Sequence, residues 1–243
     1  HTQGLRLEFE RDAIAERFTS TVSPPKYEII PHGVNFDRAF DGDESEAREL
    51  LGLDPDRPLV VEPGYVSEQK GCDRFVNLAE RFPQTTFLLA GGARTDDGKE
   101  FIADLRRRAP KNVSITGVLP DRRFHAAFVA ADTVALPYRK SGQSGVLNWC
   151  ATYAVPTVGS ERAYFRHLYD DYGCLAIGDA DNIEGFAEKL ETVLTDEGKR
   201  SQLERTMRAY RAENSFTAVA SRHESLYRRL ESRAEQAKAE GRT

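Results

Sequence analysis

Short apolar runs alternate along most of this chain with longer stretches in which apolar residues recur every three or four positions. Runs rich in β-branched and aliphatic residues fall at 27–30, 59–62, 86–90, 113–116, 133–136, 157–159 and 174–177, each of a length suited to one strand. Residues 44–51, 72–81, 99–107, 122–131, 145–153 and 183–194 carry helical spacing between them. The runs are almost continuously apolar, as strands buried on both faces must be. Strand and helix in alternation predict an α/β fold, a Rossmann-like parallel sheet of roughly six strands with helices on both faces. The ends break the pattern. Residues 1–18 read as a helix and 19–25 as a linker, while 214–233 place Phe216, Val219, Leu226, Tyr227 and Leu230 at core-like spacing ahead of a polar tail. The chain therefore divides into 1–25, a main domain over 26–213, and a terminal helix and tail over 214–243.

In an open parallel sheet ligands gather beyond the carboxyl ends of the strands. The loops expected there are 64–71, 91–98, 117–121, 137–144 and 160–167, and nearly all the glycines fall in them. The most informative stretch is 136–160: a strand end, a polar glycine-bearing loop, a helix and a further strand. Ser144 is placed to cap that helix, and Gly145 lets a ligand approach the backbone closely. Free N–H groups at the helix start, with Arg139 and Lys140 nearby, suit an anion. Lys70, flanked by Gly64 and Gly71, is either a cation for the same anion or a solvated lysine at a helix start. The second role sets its charge against the helix dipole.

Composition narrows the field. The net charge of −5 gives no general attraction to nucleic acid or anionic lipid. No apolar run approaches the roughly 20 residues that span a bilayer. The three cysteines, Cys72, Cys150 and Cys174, lack metal-ligand spacing and fit core packing in a reducing compartment. The five histidines are scattered, and no metal site is expected.

Six motifs in order carry a family resemblance. They are Ile29-Ile-Pro-His-Gly-Val-Asn35, Gly64-Tyr-Val-Ser-Glu-Gln-Lys-Gly71, Phe87-Leu-Leu-Ala-Gly-Gly92, Val113-Ser-Ile-Thr-Gly-Val-Leu-Pro120, Ala131-Asp-Thr-Val-Ala-Leu-Pro-Tyr138 and the helix 215–227. Together they resemble the C-terminal, donor-binding half of GT-B glycosyltransferases, most closely family 4, from about residue 4 to about residue 230. Tyr65 stands where many members carry arginine, and Ser141 and Trp149 stand where many carry two glutamates. The resemblance implies that the acceptor domain is missing from this stretch, with 1–18 similar to its last helix.

The resemblance implies transfer of a sugar from a nucleotide-sugar donor to an acceptor hydroxyl, without metal or bound cofactor. The acceptor could be a glycan, a lipid-linked sugar or a small molecule. Lys70 and Arg139 are the implied catalytic cations, Arg139 having the alternative of a surface residue. Gly64, Tyr65, Gly71, Gly92, Val118, Leu119, Ser141, Ser144, Gly145, Val146 and Glu161 are the implied donor-binding residues. Glu161 either meets ribose or sugar hydroxyls or caps a short helix through Arg166. His32 either lines an interdomain cleft or is structural. Trp149 is read as a core or interface residue ahead of one that stacks on sugar, and Arg106, Arg107 and Arg108 as a solvated helix face ahead of a binding patch. The implied location is the cytoplasm, peripheral to the inner face of the membrane in a full-length parent. Phe9, Phe18, Phe216 and Tyr227 are expected to expose apolar surface, open to self-association. A sugar-nucleotide epimerase on the same fold and a non-catalytic nucleotide-sugar-binding module are the competing readings.

Overall fold

The computed structural model describes residues 30–239. The segment 1–25, including Phe9 and Phe18, and most of the expected strand 27–30 lie outside the described residues. The chain runs through α1 (Glu44–Leu51), β1 (Leu59–Pro63), a 3₁₀ turn (Glu68–Lys70), α2 (Cys72–Leu78), β2 (Thr86–Ala90), α3 (Asp96–Arg108), β3 (Val113–Ile115) and α4 (Asp121–Ala130). It continues with β4 (Thr133–Leu136), α5 (Gly145–Tyr153), β5 (Thr157–Ser160), α6 (Ala163–Tyr172), β6 (Ala176–Gly178), α7 (Ile183–Thr195), α8 (Glu197–Glu213) and α9 (Phe216–Ala239). The six strands form one sheet in the order β3-β2-β1-β4-β5-β6. Every pairing is parallel, with Val60 facing both Phe87 and Thr133 at the centre. The expected Rossmann-like sheet is therefore present.

Successive strand residues feed two cores. Leu59 and Val61 join Phe128, Leu147 and Phe165 on one face, while Val60 joins Phe75, Leu105 and Phe186 on the other. The central strands are largely apolar, Glu62 in β1 and Thr133 in β4 being exceptions, because each face meets a helical layer. At the amino edge, buried Arg48 on α1 donates to Asp132 Oδ2 at 2.9 Å, and the Leu59 N–H donates to the same oxygen at 2.8 Å. This contact fixes α1 and β1 against the start of β4.

Four elements differ from the expectation. α6 occupies residues expected to be loop up to 167, burying Tyr164, Phe165 and Leu168. α8 lies where no element was expected, because only Leu203, Met207 and Tyr210 of its 17 residues are buried. The last strand is Ala176–Gly178 rather than 174–177; Cys174 and Leu175 are buried but precede the pairing with β5. α3 also starts earlier than its apolar spacing, since Thr95 caps it by accepting from the Gly98 N–H.

Candidate functional site

The sheet order reverses direction between β1 and β4. The connection after β1 leads to β2 and β3, and that after β4 leads to β5 and β6, so the two loops part and leave a crevice. A cleft of about 460 Å³ lies there, lined by Gly64, Tyr65, Lys70, Gly91, Gly92, Val118, Leu119, Phe124, Gly145, Val146 and Trp149.

The loop carrying Lys70 is built for close backbone contact. A Cβ on Gly91 would stand 1.6 Å from the Gly64 carbonyl oxygen, so the β1 and β2 loops touch main chain to main chain. Ser67 caps the 3₁₀ turn through the Lys70 N–H. Gly71 then turns into α2 at φ 73°, where a Cβ would lie 2.0 Å from the Pro137 carbonyl oxygen. Across this seam the Arg139 and Lys140 N–H groups both donate to the Gln69 carbonyl, at 2.9 and 3.2 Å. The Arg139 guanidinium donates to Asp73 Oδ1 and Oδ2 at 2.5 and 2.6 Å and to the Glu68 carbonyl at 2.7 Å.

Lys70 Nζ donates to the Tyr138 hydroxyl at 3.0 Å and sits 4.8 Å from the centre of that ring. Burial pushes its pKa down, and the nearby Glu62 carboxyl pulls it back up. Glu62 is the functional neighbour that sequence reasoning missed. It is 1% exposed, accepts from Cys72 Sγ at 3.4 Å through Oε1, and has no partner for Oε2 among the described residues. Burial pushes its pKa up to about 8, against the opposing pulls of the Cys72 hydrogen bond and Lys70. The available signal was a carboxylate inside the otherwise apolar run Leu59-Val-Val-Glu-Pro63.

Opposite Lys70, α5 begins. Ser144 is 5% exposed, and its hydroxyl accepts from the Leu147 N–H at 3.3 Å. A Cβ built on Gly145 meets nothing within 4 Å. The first-turn N–H groups of an α-helix have no intrahelical acceptor, and at Gly145 and Val146 they border the cleft. The arrangement joins a lysine to a helix N-terminus across a glycine-walled gap, which suits a polyanion such as a diphosphate.

Of the residues singled out in the sequence, Gly64, Tyr65, Lys70, Gly92, Val118, Leu119, Gly145 and Val146 come together on the cleft. Ser144 stands behind it as the cap, and Gly71 serves the packing of the lysine loop. Arg139 does not line the cleft, because both its outer nitrogens are held by Asp73 and the Glu68 carbonyl. Ser141 is buried, and its hydroxyl donates to the Gly142 carbonyl at 3.0 Å. Glu161 is apart from the cleft and paired with Arg166. His32 Nδ1 lies 3.1 Å from Asn148 Nδ2 and 2.7 Å from the Gly33 carbonyl oxygen, also away from the cleft lining. Arg107 and Arg108 pair with Asp104 on an exposed helix face. Trp149, read as core or interface, packs against the core and also lines the cleft beside Phe124, a residue the sequence did not flag. Asp-x-Asp triplets occur at 41–43, 54–56 and 179–181, and none borders the cleft. Among the described residues no group of three His, Cys, Asp or Glu side chains is placed to hold a metal ion.

A doubly wound parallel sheet with this cleft at its switch point defines a nucleotide-binding class of α/β domain. The family model described as glycosyl transferases group 1 matches residues 57–196, more than half of the chain, and the chain belongs to that family. Over 118 residues it is 34% identical to the alpha-galactosylglucosyldiacylglycerol synthase of Streptococcus pneumoniae, covering 46% of this chain and 32% of that protein. The fold matches sucrose-phosphate synthase from Thermosynechococcus elongatus with a TM-score of 0.72 at 21% identity, over 89% of this chain and 56% of the other. It also matches Anabaena HepE in complex with UDP and glucose, TM-score 0.71 at 18% identity, over 84% of this chain and 56% of the other. The resemblance to a GT-B half is thus met by family and by fold. The chain spans between a third and about half of the length of these proteins, 32% to 56%.

Proposed function

We propose that this chain is the donor-binding part of a glycosyltransferase, which moves a sugar from a nucleoside diphosphate to an acceptor hydroxyl. One observation carries the reading: Lys70 and the N-terminus of α5 face one cleft at the switch point. The donor diphosphate lies over the Gly145 and Val146 N–H groups, with Lys70 Nζ beside it. As the bond from the anomeric carbon to the phosphate oxygen breaks, the electron pair leaves with the nucleoside diphosphate. Lys70 and the helix N–H groups stabilise that growing charge. The new bond forms to the acceptor oxygen. The group that takes the acceptor proton is assigned to the part of the relatives that this chain does not span.

The charge on the leaving group is met by Lys70 and the helix, so the reaction is proposed to need neither divalent metal nor cofactor. The named relatives support a nucleotide-sugar donor, since HepE is described with UDP and glucose. Among the described residues the cleft lining contains no carboxylate and no histidine, which argues against the epimerase reading. The proposed setting is the cytoplasm, at the inner face of the membrane in the parent protein. The three cysteines, all free and buried, support a reducing compartment. No described helix is long and apolar enough to cross a membrane.

Calorimetry with chelator present tests the reading, using UDP, GDP, ADP and CDP and their glucose conjugates. At least one should bind, and Lys70→Ala should weaken it about 10-fold to 100-fold, the loss expected for a charge-assisted contact. Ser144→Ala should cost less, because the N–H groups it caps are main chain. Equal affinity in wild type and Lys70→Ala would remove Lys70 from the site. Binding only on addition of a divalent cation would overturn the metal-free mechanism. Donor hydrolysis or transfer by the full-length parent separates the enzyme from a binding module.

A further inference from the structure

The cleft lining mixes two chemistries. Lys70 and the first turn of α5 bring charge and N–H groups, while Val118, Leu119, Phe124 and Trp149 bring apolar surface. Trp149 is the only tryptophan in the chain. It follows Gly145 by four residues on α5, so it shares that residue's face about one turn, roughly 6 Å, further along the helix. A nucleoside attached to a diphosphate seated at the helix start extends over this kind of distance.

The indole is held in place. The His125 ring meets it at 66° with centroids 4.5 Å apart. His125 is itself fixed, for its Nδ1 accepts from the Ala39 N–H at 3.1 Å and lies 2.6 Å from the Tyr153 hydroxyl oxygen. Burial lowers the pKa of His125, which keeps Nδ1 an acceptor. Trp149 also borders a second cavity, of about 450 Å³, shared with Phe124 and His125. It therefore packs against the core on one side and walls two open spaces on the other.

Resting on the nucleoside-diphosphate reading above, we propose that Trp149 is the wall against which the nucleoside of the donor packs. A rigid indole loses little freedom on binding and recognises the nucleoside by shape and stacking. It also takes a place where many family members carry a carboxylate, so an aromatic face stands here in place of an acceptor. Position 149 is thereby a determinant of donor affinity that the diphosphate end does not control.

Calorimetry with inorganic pyrophosphate, UDP, GDP, ADP and CDP, on wild type, Trp149→Phe and Trp149→Ala, tests this. The preferred nucleotide should bind wild type at least 10-fold more tightly than pyrophosphate and should quench the single tryptophan. Trp149→Ala should weaken nucleotide binding about 10-fold to 100-fold, the range for loss of a stacked aromatic, while leaving pyrophosphate binding unchanged. Trp149→Phe should retain affinity to within about threefold, since it keeps a ring. Unchanged pyrophosphate affinity also shows that the variants are folded. Nucleotide affinity unaltered by Trp149→Ala overturns the proposal, as does equal weakening of nucleotide and pyrophosphate. Pyrophosphate binding with no gain from any nucleoside overturns it but leaves the diphosphate site intact. Absence of binding by both overturns the donor-site reading itself.

Discussion

Arg139 closes on Asp73 with two nitrogens on two oxygens, at 2.5 and 2.6 Å, across a gap of 66 residues in sequence. Burial opposes ionisation of Asp73, but the Arg139 hydrogen bonds outweigh it and hold the carboxyl below its usual range. The pair joins the loop after β4 to the start of α2, and so sets the lysine loop against α5. Arg139→Gln and Asp73→Asn are each expected to destabilise the fold by about 1–3 kcal/mol in urea denaturation, with the double variant no worse than either alone. Both should weaken diphosphate binding slightly and equally. If Arg139 contacted phosphate directly, Asp73→Asn would free it and raise affinity, so opposite signs for the two variants would refute the positioning role. The Asp73 contribution to stability should be present above its ordinary pKa near 3.8 and lost as acid carries the pH below that.

Two glycines of the site should respond in opposite ways. Gly71→Ala forces a Cβ onto the Pro137 carbonyl oxygen at positive φ, and a loss of about 2–4 kcal/mol is expected in thermal or chemical denaturation. Gly145→Ala meets open space and should leave stability unchanged or raise it by up to about 1 kcal/mol. Its methyl group stands in the cleft, so it should weaken nucleoside diphosphate binding in calorimetry. Full affinity in Gly145→Ala would place the anion elsewhere.

Glu62 makes stability depend on pH. The unfolded chain ionises this carboxyl near 4.5, whereas the folded protein does so only near about 8. Its contribution is full below 4.5 and declines as the pH rises through that window, because unfolding releases the proton first. Lys70, with a lowered pKa, acts in the opposite direction at the alkaline end. Glu62→Gln should match wild type at pH 5 and exceed it by about 1–3 kcal/mol at pH 9. A wild type whose urea midpoint does not fall between pH 5 and pH 8 would contradict this.

Apolar surface remains on the terminal helix. Phe216 and Tyr227 are 52% and 59% exposed, and both border a groove of about 780 Å³ with Pro31, His32 and Val219. Replacing both with serine should reduce binding of an apolar fluorescent dye or shift sedimentation from dimer to monomer, and should leave diphosphate affinity within about twofold. A wild-type monomer that binds no dye would show that this surface is not available.

The strands and the glycine loops were legible because a strand buried on both faces leaves an uninterrupted apolar run, as in Thr133–Leu136. Lys70, Gly145 and Val146 were legible as a site because the parallel topology sends the loops after β1 and β4 to one edge. α8 was not, since a helix covering the core along one narrow stripe looks polar in sequence. The pairing of Arg139 was hidden because its partner Asp73 lies on α2, 66 residues away, and spacing along the chain carries no information about it. Trp149 was legible as a core residue, but its place on the cleft was not, because an apolar residue on a buried helix shows only its packing until the space around it is known.

Val34 and Asn214 share a hydrogen bond of 2.7 Å, and Val34 forms a parallel bridge with Ser215. The body between them thus closes on itself, and its two crossing points lie side by side. In engineering terms it has the ends of a cassette: the chain enters at Val34 and leaves at Asn214 and Ser215. The same closure means that a pull on the upstream segment is borne at once by the base of α9, before it reaches the sheet or the cleft.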